Sequence, residues 1–139
     1  MEIKLAKTDE EIIGCYATMS QLRPHIKQED FLARIRHQEK TGYNMAFIED
    51  ENEVVCTAGF RFVETLAWGK FLYVDDLVTD EKKRSKGYGD KMMDWLFEYA
   101  RENKCQEFHL DSGVQRFFAH RFYFRKGMTI SCYHFQQML

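Results

Sequence analysis

The sequence predicts a single α/β domain in which helices pack against a layer of strands. Strand-like and helical segments alternate along the 139 residues, and 45% of the residues are hydrophobic, which is enough to bury a core. No internal repeat, low-complexity tract or linker interrupts the chain. We therefore expect one domain over residues 1–139.

The first half of the chain predicts a strand, two helices and a meander of strands. Residues 2–6 alternate like a short strand, and Thr8 before three acidic residues is typical of a helix N-cap, with the helix reaching about Gln21. An apolar stripe predicts a second helix over 28–40. Runs rich in aromatic and β-branched residues predict three strands, at 43–49, 53–64 and 70–79.

The second half predicts two further helices and two further strands. An amphipathic helix covers about 87–103, with methionine and leucine side chains on its apolar face. A strand at 105–111, a helix at 115–126 and a last strand at 129–138 complete the chain.

Composition argues against several classes of protein. The formal net charge is −2, so the chain lacks the basic excess typical of nucleic-acid-binding proteins. No apolar run approaches the roughly 20 residues that a membrane span needs, and the N-terminal sequence MEIKLAKTDEE has no apolar signal core. We expect a cytoplasmic protein with small-molecule or peptide partners, and no binding to nucleic acid or membranes.

The four cysteines lack the short paired spacing of a disulfide framework, and we expect free thiols. Cys105 and His109 share one strand face and Cys132 and His134 share another, so four ligands could converge if these strands paired. Neither pair has the spacing of a zinc knuckle. We therefore expect no metal.

A basic, glycine-containing loop joins the strand at 70–79 to the helix that follows. The first-turn N–H groups of a helix have no intrahelical partner, and the helix dipole adds positive charge there. Gly87 and Gly89 permit close approach of a ligand, and Arg84 and Lys86 add charge, which predicts a pyrophosphate site. Loop glycines and solvated lysines without a ligand are the competing interpretation.

Three motifs extend this prediction. The pattern R-x-x-G-x-G at 84–89 resembles the phosphate loop of the GNAT superfamily of N-acetyltransferases, which use acetyl-CoA. Asp75 to Thr79 look like the family's fourth strand, which splays at a bulge, although Thr79 stands where valine is usual. Ala119 to Met128 are similar to the signature A-x-x-x-Y-x-x-x-G-F, with methionine replacing phenylalanine.

The resemblance implies a mixed, mostly antiparallel central sheet flanked by helices and splayed between strands 4 and 5. It also implies an acetyl-CoA-dependent N-acetyltransferase in which a primary amine attacks directly in a ternary complex. A noncatalytic acyl-CoA binding or sensor module is the alternative. The residues placed along acetyl-CoA are Leu77, Val78, Thr79, Arg84, Ser85, Lys86, Gly87, Tyr88, Gly89, Ser112 and His120. Ser112 could equally be a turn residue at a helix entry.

The resemblance assigns Tyr123 as the general acid that protonates the departing CoA thiolate. A phenol with a reference pKa of about 10 suits a thiolate whose conjugate acid has a pKa of about 8.5. The competing interpretation is an aromatic core residue, because aromatic side chains crowd this helix.

Acidic residues on two neighbouring strands are the candidates for handling the amine. Asp75 and Asp76 lie in mid-strand, so we expect one on each side of the sheet, and such a carboxylate is costly unless it is paired or faces an opening. Asp75 is the candidate base, and Asp76 and Glu64 are candidates for substrate binding. A structural carboxylate paired with arginine is the alternative. Cationic amines are the expected acceptors, and exposed Tyr133 and Phe135 could form the edge of a homodimer.

Overall fold

A computed structural model describes residues 1–139, which form five strands and five α-helices. The strands are β1 (Glu2–Leu5), β2 (Asn44–Asp50), β3 (Glu53–Thr65), β4 (Gly69–Thr79) and β5 (Glu107–Leu110). The helices are α1 (Asp9–Gly14), α2 (Tyr16–Leu22), α3 (Gln28–Glu39), α4 (Tyr88–Glu102) and α5 (Phe117–Arg125). The chain divides into two compact units, residues 1–109 and residues 110–139. None of the helices has the length and apolarity that crossing a membrane requires.

The strands form one mixed sheet in the order β1-β2-β3-β4-β5. The first four strands pair antiparallel with their sequence neighbours, whereas β4 and β5 run parallel. The expected mostly antiparallel sheet flanked by helices is confirmed, and the fold belongs to the α+β class.

The two faces of the sheet bury different sets of side chains. Tyr43, Met45 and Phe47 belong to the core cluster formed with α1, α2 and α3. On the other face of the pleat, Phe60 packs edge-on against Tyr99 of α4. Because side chains alternate between faces along a strand, each position in β2 and β3 is committed to one helical layer.

The first predicted helix is two helices in the structure. Thr8 is the N-cap and forms a capping box with Glu11, as its position predicts. The helix ends at Gly14, because the amide of buried Cys15 bonds to the carbonyl of Ile12 three residues back and tightens the last turn. The break starts a new helix at Tyr16 that packs against β3 and β4.

The prediction of a last strand over 129–138 is wrong. These residues have no regular secondary structure, and none of their backbone groups takes part in a ladder. An alternating apolar pattern makes a strand only when a neighbouring strand pairs with its N–H and C=O groups. Tyr133 and Phe135 are strongly exposed, at 85% and 91% of their maximal area.

Candidate active site

A β-bulge in β4 shapes the acidic part of the site. Gly59 of β3 pairs with Asp76 and Phe60 pairs with Val74, so Asp75 is an extra residue opposite the Gly59–Phe60 step. A bulge re-aims the side chain that it adds. Asp75 and Asp76 consequently line the same cavity, and the expectation that they face opposite sides of the sheet is wrong.

Asp75 is paired on one oxygen and unpaired on the other. Its Oδ2 accepts a hydrogen bond of 2.8 Å from Nε of Arg61, while its Oδ1 is buried without a hydrogen-bond partner. Burial raises the pKa of Asp75 above its ordinary value, and the Arg61 guanidinium offsets only part of this effect. The result is a carboxylate with one free acceptor atom and an increased proton affinity.

Asp76 is held on both oxygens. Nε of Arg23 donates to Oδ1 at 2.8 Å, and the hydroxyl of Tyr43 donates to Oδ2 at 2.8 Å. The Tyr43 hydroxyl lies directly above Gly59, where an added Cβ would be 1.8 Å from it. Glycine at position 59 therefore makes room for the tyrosine that fixes Asp76.

A cavity of about 380 Å³ lies between α2, α3 and the sheet, and all of its lining residues belong to the first unit. Arg61 lies on β3, and its guanidinium also donates to the carbonyl and hydroxyl oxygens of Thr41 and to Oε1 of Gln38. These contacts hold the guanidinium in place beside Asp75. The volume is in the range of small-molecule sites.

The loop before α4 has the backbone geometry of an anion site. Ser85 and Gly87 both have left-handed φ angles, of 71° and 80°, and Gly87 is the N-cap of α4 without a side-chain cap. None of the backbone N–H groups from Arg84 to Gly89 has an acceptor within the protein. A row of free amides at the positive end of a 15-residue helix favours a bound anion.

Side-chain contacts fix the start of α4. The hydroxyl of Tyr88 donates a short hydrogen bond to Asp50, and this bond lowers the pKa of that carboxyl. Lys83 pairs with Glu53 at 3.5 Å. The Tyr88 hydroxyl is thus engaged by the protein, so its backbone amide is the group available to a ligand.

The end of β4 has one free edge. The amide of Gln106 bonds to the carbonyl of Lys70, which places the start of β5 beside the start of β4. Four residues of β5 cannot follow the eleven residues of β4, so Leu77, Val78 and Thr79 lie beyond the paired part. Alternate N–H and C=O groups there point away from β3, and β5 does not reach them.

The second unit contains three predicted site residues. Burial raises the pKa of Tyr123 above its ordinary value, with a smaller opposing effect from Arg116. Oγ of Ser112 is buried without a partner, and Nε2 of His120 lies 2.7 Å from the carbonyl of Gly113.

The remaining predicted residue, Glu64, is not part of the cavity. It lies exposed near the end of β3, opposite Lys70. Arg61, Gln38 and Arg34 line the cavity but were not among the predicted site residues. Of these three, only Arg61 could have been identified from the sequence, because an arginine between two phenylalanines in an apolar strand needs an acidic partner.

The histidine and cysteine pairs do not converge. No group of three or more metal-ligating side chains occurs anywhere in the structure. His109 contacts Glu107 at 2.7 Å, and His134 lies 3.4 Å from Asp111. All four cysteines are free.

Known proteins share this fold and resemble the sequence. Residues 10–128 match the model of the Acetyltransferase (GNAT) family. The uncharacterized N-acetyltransferase YhdJ of Bacillus subtilis (strain 168) is 32% identical over 139 residues, 99% of this chain and 98% of the relative. A GNAT family acetyltransferase of Staphylococcus aureus superposes with a TM-score of 0.83 at 17% identity, covering 99% and 98% of the two chains. A ribosomal-protein-alanine N-acetyltransferase of Brucella melitensis superposes with a TM-score of 0.85 at 11% identity over the whole of both chains.

Together, the fold and these matches define an acetyl-CoA-dependent N-acetyltransferase. More particularly, the chain belongs to the GNAT acetyltransferase family. Enzymes of this family use acetyl-CoA as co-substrate and act on amine acceptors.

Proposed function

We propose that the enzyme transfers the acetyl group to a primary amine by direct attack within a ternary complex. The observation that carries this proposal is the unpaired Oδ1 of Asp75, which lies at the bulge of β4 only two residues before the free strand edge that begins at Leu77. A proton acceptor and a free backbone edge are thus built into the same strand. Direct transfer needs these groups close together, because amine and thioester must meet in one site.

We propose that the diphosphate of acetyl-CoA binds the loop from Arg84 to Gly89. The free amides and the lack of a side-chain cap at Gly87 fit a diphosphate, since both leave N–H donors for an anion. Ser85, Lys86 and Tyr88 contribute through the same loop backbone. When bound, acetyl-CoA supplies the activated acetyl thioester.

The other proposed cofactor contacts come from strand backbone and from the second unit. Leu77, Val78 and Thr79 offer N–H and C=O groups along the free edge of β4, which suits the amides of a pantetheine arm. We propose that Ser112 and His120 make further contacts with acetyl-CoA. The buried, unpartnered hydroxyl of Ser112 supports its assignment, because such a group is rare unless a ligand or water satisfies it.

Asp75 is the proposed general base. Its unpaired Oδ1 can accept a proton from an amine, directly or through one water molecule. The raised pKa makes it a stronger base than an exposed aspartate, while Arg61 fixes its position through Oδ2. Asp76 is less suited to this step because both of its oxygens already accept hydrogen bonds. We propose that it shapes the acceptor site instead.

Tyr123 is the proposed general acid. A phenol with a reference pKa of about 10 is protonated at neutral pH, and burial raises the pKa of Tyr123 further, so the proton is present for transfer to a departing thiolate. Replacing Tyr123 with phenylalanine removes that proton and leaves the ring in place.

The proposed function is tested by mixing the protein, acetyl-CoA and a panel of primary amines with a thiol reagent. We expect amine-dependent release of free CoA, a reduction of about 10²-fold or more in kcat for Tyr123→Phe, and an unchanged affinity for CoA. Phe124→Leu, at an exposed neighbouring position, is the control. Tight CoA binding without any amine-dependent release would instead indicate a noncatalytic binding module, and full activity of Tyr123→Phe would refute the assignment of the acid.

A further inference from the structure

The charges around the cavity do not favour a cationic acceptor. Asp75 is paired with Arg61 and Asp76 with Arg23, each at 2.8 Å. Each pair is close to neutral as a unit, so the two carboxylates do not give the cavity a negative field. The expectation of a cationic acceptor rested on the acidic side chains of Asp75, Asp76 and Glu64, and two of these three are paired with arginine.

One cation of the cavity has no partner. Arg34 lines the cavity from α3, one turn before Gln38. It is exposed, and its guanidinium makes no hydrogen bond or ion pair within the protein. His25 lines the same cavity from the segment between α2 and α3 and is also exposed. With both aspartates neutralised, the guanidinium of Arg34 leaves the cavity with an excess of positive charge.

The cavity is therefore lined by one carboxylate with an unpaired oxygen and by one free cation. The unpaired oxygen is Oδ1 of Asp75, which is buried in the wall formed by the sheet, and the free cation is Arg34 on the helical wall. An amine donates hydrogen bonds to a carboxylate oxygen, and a guanidinium binds a carboxylate or phosphate in a two-pronged geometry. A molecule that carries both groups would satisfy both walls at once.

We propose that the acceptor is a small primary amine that also carries a carboxylate or phosphate group. Its amine contacts the carboxylate of Asp75 and its anionic group contacts Arg34, with His25 beside it. The volume of about 380 Å³ suits a small molecule of this kind. This inference rests on the proposed function, since it identifies the substrate class of the same site.

Matched pairs of amines test the charge preference. β-Alanine is compared with its amide and phosphoethanolamine with ethanolamine, and putrescine represents the diamines. We expect kcat/KM to be about tenfold or more higher for the preferred anionic member of a pair, because a hydrogen bond to a charged group contributes about 1.5–3 kcal/mol. The carboxylate and phosphate pairs separate the two sources of negative charge. Equal or faster turnover of ethanolamine and putrescine would overturn the proposal.

Variants of Arg34 test the contact itself. Arg34→Gln should lower kcat/KM for the anionic amine about tenfold. The kcat/KM for the matched neutral amine and the KM for acetyl-CoA should stay unchanged. Arg34→Lys should retain part of the activity toward the anionic amine, since lysine keeps the positive charge but not the two-pronged geometry of the guanidinium. Arg101→Gln is the control, because Arg101 is exposed on α4 and pairs only with Glu98. An equal loss for charged and neutral amines would overturn the contact.

A binding measurement separates this inference from the proposed function. In the presence of CoA, the anionic amine should raise the melting temperature of the wild type but not of Arg34→Gln. That result would support the acceptor site even if no amine caused release of CoA, an outcome that refutes only the catalytic proposal. An equal shift in both proteins, or no shift in either, would refute the inference.

Discussion

Replacing Asp75 with asparagine should reduce activity without reducing stability. In the folded protein burial disfavours the ionised carboxylate, and Arg61 does not fully compensate, so the net effect is a raised pKa. Each unit of such a shift corresponds to about 1.4 kcal/mol of unfavourable ionisation. Asparagine has no charge to bury, and its side-chain oxygen can still accept the hydrogen bond from Nε of Arg61.

The pH dependence of this effect has a defined sign. Since the pKa of Asp75 is higher in the folded than in the unfolded chain, the wild type loses stability as pH rises from about 4 through the folded value. Asp75→Asn lacks this loss. At pH 7 we expect its free energy of unfolding to equal or exceed that of the wild type, within about 1 kcal/mol. At pH 3 the variant should have no such advantage.

The same substitution at the next residue, Asp76, should lower stability and provides the comparison. Asp76 accepts hydrogen bonds from both Arg23 and Tyr43, and only 14% of its side chain is exposed. Asp76→Asn removes the charge that both donors face, and we expect a loss of about 1–3 kcal/mol. Urea unfolding of the two variants at pH 7 measures both values under one condition.

Activity completes the test. As the proposed base, Asp75 should contribute about 10²-fold to 10⁴-fold to kcat/KM, and Asp75→Asn should lose this together with the acidic limb of the pH profile. Release of free CoA with a thiol reagent provides the assay. Full activity of Asp75→Asn, or destabilisation as large as that of Asp76→Asn, would show that Asp75 is a structural ion-pair partner rather than a base.

Two further predictions concern glycines. Gly59→Ala would place a Cβ 1.8 Å from the Tyr43 hydroxyl. Because of overpacking and a displaced hydrogen bond, we expect urea unfolding to show a free energy of unfolding lower by about 2–5 kcal/mol. Gly14→Ala is the control and should not destabilise the protein, since Gly14 has open space around it. A Gly59→Ala protein as stable as the wild type would contradict the packing of Tyr43. Gly87→Asp adds a negative charge at the N-cap of α4. Isothermal titration should show CoA binding at least about tenfold weaker than in Gly87→Asn, because unit charges 4 Å apart interact by about 1–4 kcal/mol. Asparagine is the matched control because both residues tolerate the left-handed φ of 80°. Equal affinities of the two variants would argue against a diphosphate beside position 87.

Much of the fold could be predicted from the sequence because its strongest signals are local. The meander from β2 to β4 and the helix α4 follow from alternation and from a single apolar face, and their bounds agree within about two residues with the pattern. The prediction of a strand at 129–138 was wrong for a physical reason. Apolar alternation is a local property of the sequence, whereas strand formation depends on pairing with another strand.

The candidate site was predicted only in part. The loop at 84–89 is visible in the sequence because glycines and basic residues occur together before a helix. The bulge at Asp75 depends on the register between β3 and β4, and it changes which way that carboxylate faces. The pairing of Asp76 with Arg23 joins residues 53 positions apart, which no local pattern encodes.

The most direct test of the account is a nuclear magnetic resonance titration of the backbone amides with CoA and, separately, with pantetheine, which lacks the diphosphate. We expect CoA to shift the amide resonances of Ser85, Gly87, Tyr88 and Gly89, where no protein oxygen accepts a hydrogen bond, and pantetheine to leave them nearly unchanged. Saturating CoA binding that leaves these resonances in place, or equal shifts with pantetheine, would contradict the diphosphate site.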